Sequence, residues 1–145
     1  MLYTIMLYLH ILSAIVAIGP LFAIFPLLNR MKKAPDDQVQ SYVISLQGLL
    51  RAVANGGHFL IPTGFVLIWF SGWPWTSSWI IATLVIMLCS LLFMARAFKP
   101  SMVYAASEAF TKERFLHMVK VATWKYILLM GVFLWLMVAL SVQVQ

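Results

Sequence analysis

The sequence predicts an all-α fold: a four-helix transmembrane bundle with both termini outside and amphipathic helical extensions on the cytoplasmic side. Three observations carry this. The 145 residues are 63% hydrophobic and only 10% charged, with a mean hydropathy of +0.96, whereas a soluble domain is nearer half apolar and a quarter charged. Residues 1–29, 52–95 and 126–145 contain no Asp, Glu, Lys or Arg. All ten Lys and Arg residues fall where they can share one side of a bilayer.

A spanning helix takes about 20 mostly apolar residues. The first and last charge-free runs therefore hold one span each. The middle run holds two, divided at 71–79 by "SGWPWTSSW" with its Gly, Pro and Ser. The expected helices are about 2–28, 52–70, 79–95 and 121–141, in one integral membrane domain covering 1–145. No basic segment precedes the first run, which is long enough to span and is expected to stay in the mature protein.

Orientation follows from the cations. Arg30, Lys32 and Lys33 separate the first two helices, and Arg51 opens the second. Arg96 and Lys99 end the third, and Lys112, Arg114, Lys120 and Lys125 lead into the fourth. Cations concentrate on the cytoplasmic side of membrane proteins, which puts both termini and the Trp-rich loop outside. Trp69, Trp73, Trp75 and Trp79 then form an outer aromatic belt, joined by Tyr3 and Tyr8. The formal charge of +6 reads as topology and attraction to the lipid bilayer's anionic inner leaflet. It does not read as nucleic-acid binding.

The cytoplasmic segments carry their own pattern. "APDDQVQSYVISLQGLLRAVANGG" opens like a capped helix at Pro35 and Asp36. Its apolar residues Val39, Tyr42, Val43, Leu46, Leu49, Leu50 and Val53 recur at spacings of three and four, giving an amphipathic lead-in to the second span with a bend placed at Gly56-Gly57. Gly48, Ala52 and Gly56 make a small-residue stripe that lets another backbone approach, either within the bundle or in a homodimer. Segment 100–118 reads as a helical extension of the fourth span.

Few classes of chemistry remain. The acids are Asp36, Asp37, Glu108 and Glu113, all in cytoplasmic segments, which disfavours a paired-carboxylate hydrolase. Cys89 is the single cysteine and forms neither an internal disulfide nor a thiolate metal motif. The histidines stand out instead, because an ionisable group inside a span is costly and marks a functional site by default. His10 lies in the outer half of the first helix, beside Ser13, Ala14 and Ala17. His58 lies about seven residues beyond Arg51, flanked by Gly56, Gly57, Pro62 and Gly64. His117 sits at the cytoplasmic edge among cations and reads as a solvated residue.

Two imidazoles beside missing side-chain volume suit a b-type haem (haem b), with His10 and His58 as metal ligands. Arg51, Arg96 and Lys125 are candidate cofactor-binding residues, placed to pair with propionates at one membrane edge. Phe59, Trp124 and Trp135 are candidates to pack the ring faces. The alternative is structural: each histidine hydrogen-bonds a hydroxyl or carbonyl of a neighbouring helix, with Asn55 or Thr63 available to His58. Geometry opposes a single iron held by both. At about 1.5 Å per residue, His10 lies roughly 12 Å below the outer end and His58 roughly 20 Å below it. Sharing one iron requires tilt or a bend; otherwise each serves its own site, which a dimer can complete.

"LYLHILSAIVAIGPLFAIFPLLNR", residues 7–30, resembles the first helix of small bacterial membrane proteins. These include an uncharacterised four-helix family, the membrane part of copper-resistance protein D and the HemJ-type protoporphyrinogen oxidase. "IPTGFVLIWFSGW" is a weaker echo. The resemblance implies a multi-pass protein of the bacterial inner (cytoplasmic) membrane. It also implies haem binding at His10, the position matching the oxidase's first-helix histidine. That enzyme's second ligand, a Lys in a later span, has no counterpart here. Two functions follow as expectations. One is a membrane b-type haem protein acting in electron transfer or redox chemistry on a quinone or porphyrin-like partner. The other is a non-catalytic membrane subunit, assembly factor or small copper-transport-related protein whose histidines are structural.

Overall fold

The computed structural model describes residues 1–72 and 74–142; for Trp79, Leu91, Ala95, Met137, Leu140, Ser141 and Val142 it describes the backbone alone. Among these residues the chain forms α1 (Leu2–Lys33), a single 3-10 turn (Asp36–Gln38), α2 (Val39–Ser71), α3 (Ser78–Ala97), α4 (Lys99–Ala105) and α5 (Lys112–Val142), with no strand. Four segments are long and apolar enough to cross a membrane. α1 packs along α2 and also against α5, α5 packs on α3, and α2 touches α3 only slightly. The helix order around the bundle is therefore α2, α1, α5, α3.

The α1–α2 hairpin is the tightest part of the molecule. A Cβ built on Gly56 would lie 2.5 Å from the Ala17 nitrogen and 2.8 Å from the Val16 carbonyl carbon. The two main chains meet there with no room for a side chain, the close packing that small residues permit between membrane helices. The same level carries a proline effect. Pro20 has no N–H, so it removes the helical donor for the Val16 carbonyl. Gly48, by contrast, has nothing within 4 Å of its Cβ position and is exposed. The expected stripe of Gly48, Ala52 and Gly56 thus does not act as one contact face. Positions four apart advance about 40° around the helix, and α1 meets only the Gly56 end.

α1, α2 and α5 hold 32, 33 and 31 residues, roughly 46–50 Å each, against a hydrocarbon core of about 30 Å. Their excess length lies at the basic end. There Met31, Val39, Val43, Leu46, Phe98, Phe115 and Val119 continue the buried core. The lead-in to the second span is one helix with it, because Val39, Val43, Leu46, Leu50 and Val53 fall on a single buried face. At Gly56-Gly57, where a bend is expected, α2 continues as unbroken helix. The expected extension of the fourth span over 100–118 needs a larger correction. α4 stops at Ala105 and α5 starts at Lys112. The Tyr104 hydroxyl holds the break together, donating to the Ala109 carbonyl at 2.8 Å and accepting the Thr111 N–H at 3.0 Å.

The two hairpins are tied at the basic end. Lys112 donates to the Ala34 carbonyl at 2.9 Å and pairs with Asp36 at 3.1 Å. At the opposite end Trp69 and Trp75 are exposed, and Trp75 stacks near Phe65 with centroids 6.1 Å apart. Tyr3 and Tyr8 are exposed too. Trp73 and the side chain of Trp79, also expected in that belt, lie outside the described residues.

The glycine contact yields a sharp contrast. Gly56→Ala should cost about 1–3 kcal/mol through overpacking against backbone that cannot move aside. Gly48→Ala should change stability by less than about 0.5 kcal/mol. Denaturant unfolding of both variants in detergent micelles checks this, and equal stabilities would mean that α1 and α2 do not meet at Gly56.

Candidate functional site: the His10 contact between α1 and α2

The hairpin register places His10. Gly56 lies against Ala17, and Gly64 lies against His10, whose Cε1 would be 3.2 Å from an added Cβ. Both pairs fit one antiparallel register. His10 therefore points into α2 at a point where glycine replaces a side chain, and the sequence reading of missing volume beside His10 finds its source on the partner helix.

Thr63 fixes the ring. His10 Nδ1 lies 3.0 Å from Thr63 Oγ1. The Thr63 hydroxyl has one proton, which is directed to main-chain carbonyls of its own helix, Phe59 at 2.8 Å and Leu60 at 3.0 Å. When that proton stays on its own helix, the Thr63 oxygen is open to accept from a protonated His10 Nδ1; the tautomer sets which of the two donates. The Leu60 carbonyl, another acceptor, also faces the ring. With the proton on Nδ1, the lone pair of the neutral imidazole is on Nε2. A hydrogen bond at one ring nitrogen that orients the other is the usual arrangement behind a metal-binding histidine.

The other expected residues are placed elsewhere. His58 is exposed. It is two positions from both Gly56 and Leu60, which are buried, and so lies about 200° around the helix from each, away from α1. His10 and His58 are not brought to one face of the hairpin. Arg51 is seven residues before His58, close to two full turns, so the two share the exposed face about 10 Å apart along the axis. In the hairpin register Arg51 is level with Phe22, roughly 18 Å along α1 from His10. Lys125 is exposed and follows Trp124, whose ring packs on Phe25 at 5.2 Å, toward the basic end. Arg96 lies with Lys99 and Arg114 around a separate groove.

The candidate ring-packing residues Phe59, Trp124 and Trp135 are 69%, 51% and 68% exposed and none encloses a space with His10. Among the described residues no three His, Cys, Asp or Glu side chains cluster as a metal site. Thr63, offered beside Asn55 as a hydrogen-bond partner for a structural His58, instead meets His10 across the helix interface.

Four long apolar helices whose apolar side chains are largely exposed, with cations gathered at one end, define an integral membrane protein of several spans. The chain belongs to the family described as "Predicted integral membrane protein (DUF2269)", whose model matches residues 4–142. No curated protein and no solved structure matches it.

Removing the Thr63 acceptor should be felt in stability. Thr63→Val leaves the imidazole N–H with a weaker partner and should cost about 1 kcal/mol, the scale of hydrogen bonds between membrane helices. Thr63→Ser should restore most of it. Thermal unfolding in detergent measures both, and a Val variant as stable as the parent would remove Thr63 from the account of His10.

Proposed function

We propose that the protein is a membrane haem b protein that exchanges electrons with a quinone or porphyrin-like partner, with His10 as an axial ligand. The observation that carries the reading is the contact of His10 Nδ1 with Thr63 Oγ1, a hydroxyl that also reaches the Phe59 carbonyl; in the tautomer with the proton on Nδ1, Nε2 is the atom that would hold haem iron. The first-helix likeness to the HemJ-type oxidase supports the same residue. Bound haem supplies one-electron chemistry at iron. The chain's own contribution is to orient His10 through Thr63, to leave clearance at Gly64, and to exclude water with apolar helices.

In this reading His10 and His58 serve separate sites. His58 and Arg51 share an exposed face of α2, spaced so that an imidazole ligand lies above a cation suited to a propionate. A second copy of the chain covering that face would also shelter His58 from lipid, where a bare imidazole is costly, and the protein is accordingly a homodimer. The proposed setting is a bacterial inner membrane with both termini outside, supported by the cations at one end.

A specific observation favours a second reading. The His10–Thr63 bond at 3.0 Å already satisfies one side of the ring and links α1 to α2, as structural polar contacts do in non-catalytic membrane subunits.

Colour separates the two. Protein purified from haem-replete cells should show a Soret band that shifts on reduction. His10→Ala should abolish it or convert low-spin to high-spin iron, and His117→Ala should leave it intact. A colourless parent protein of normal yield would establish the structural reading. Independently, a reporter active only in the cytoplasm should be silent when fused at Gln145 and active when inserted within 106–110; the opposite pattern overturns the topology.

A further inference from the structure

At the basic end, α3, α4 and α5 surround a groove of about 560 Å³ that the His10 site does not use. Arg96 enters from the last turn of α3, Lys99 from the start of α4 and Arg114 from the first turn of α5. No acidic residue lines it, and among the described residues none of the three has an acidic partner; the ion pair formed at this end belongs to Lys112 and Asp36. The groove surface is almost wholly apolar, so the three side chains border it with their stems and carry their charges at its rim, where like charges repel each other until an anion comes between them.

The groove is also held in shape. Arg114 lies over the Tyr104 ring at 5.1 Å, and the Tyr104 hydroxyl is fixed by Ala109 and Thr111 at its two sides. The remaining wall is apolar. Pro100, Val103 and Met118 line it, and Val103 is 62% exposed although it stands beside charged residues. Arg96 follows directly on the charge-free run that ends at residue 95, so the groove lies where hydrocarbon gives way to headgroups. Cations around an apolar wall at that level match one ligand chemistry: a phosphate with an acyl chain attached.

We propose that this groove is a binding site for the phosphate headgroup of an anionic glycerophospholipid, with Arg96, Lys99 and Arg114 holding the phosphate and Val103 and Met118 against the first part of the chain. The site is independent of haem at His10. Arg96 acts here, about a lipid headgroup, in place of the propionate role expected from sequence.

Protein in detergent is mixed with phosphatidylglycerol or phosphatidylcholine micelles, and retained lipid is counted by native mass spectrometry. The parent should retain phosphatidylglycerol preferentially. A variant with Arg96→Gln, Lys99→Gln and Arg114→Gln should lose about tenfold or more of that preference, given the contribution of each cation near a membrane surface. A variant with Arg30→Gln, Lys32→Gln and Lys33→Gln removes the same charge from the same end and should keep it. Should the groove variant fail to fold, Lys99→Glu alone, at an exposed position, should lower the preference severalfold. Val103→Gln should weaken lipid retention as well. Equal losses in the groove and control variants would mean diffuse attraction to the basic end and overturn the site. Displacement of the lipid by millimolar inorganic phosphate, with Val103→Gln without effect, would assign the groove to soluble phosphate compounds and overturn the lipid.

Discussion

Everything in this bundle is referred to one contact, the meeting of two main chains where Gly56 crosses Ala17. Backbone atoms cannot turn aside as a side chain can, so that crossing sets the register of α1 on α2 along their whole length. From it follow the seat of His10 opposite Gly64, the reach of its ring to Thr63, and the outward direction of His58. The contact also places Gly56 against Val16, whose carbonyl loses its helical donor to Pro20. Carbonyls that lose their helical donors are kept from lipid, or offset, by neighbouring helices and local adjustment. A membrane helix lacks a hydrophobic drive toward its neighbour, so closeness of fit takes that part.

The basic end works by different physics. There Met31, Val43 and Phe115 are buried among the helices, next to the cations, and pack much as a soluble core does. Short polar contacts reinforce it: Lys112 to the Ala34 carbonyl, Tyr104 across the 106–111 break. The opposite half has thin packing, with Ile5, Tyr8, Ile11 and Ile15 of α1 exposed on one flank. One chain thus combines two solvents and a core suited to each.

The sequence showed the helices because charge-free length is a direct statement about the bilayer; α1 through α5 contain each expected span, and the periodic apolar face of 39–53 appears as read. It showed His10 as exceptional for the same reason. What it withheld depends on rotation and partner. Gly48 and Gly56 are equivalent in a stripe of small residues, yet only the helix that arrives makes one of them a contact. His58 looked like a companion to His10 because both interrupt apolar runs, but two positions along α2 carry it to the far face. The break before Lys112 was hidden because the Tyr104 hydroxyl, which closes it, works on backbone groups that no spacing rule marks. The grouping of Arg96, Lys99 and Arg114 likewise arises only when α4 folds the chain back on α5.

The bridge from Lys112 to Ala34 has a bearing on how the molecule is made. The linker between α1 and α2 is five residues, so the first hairpin closes at small entropic cost. Lys112 arrives 78 positions after Ala34 and can engage only once α3 has crossed and α4 has turned. The carbonyl it takes is one that the finished hairpin leaves waiting at the end of α1.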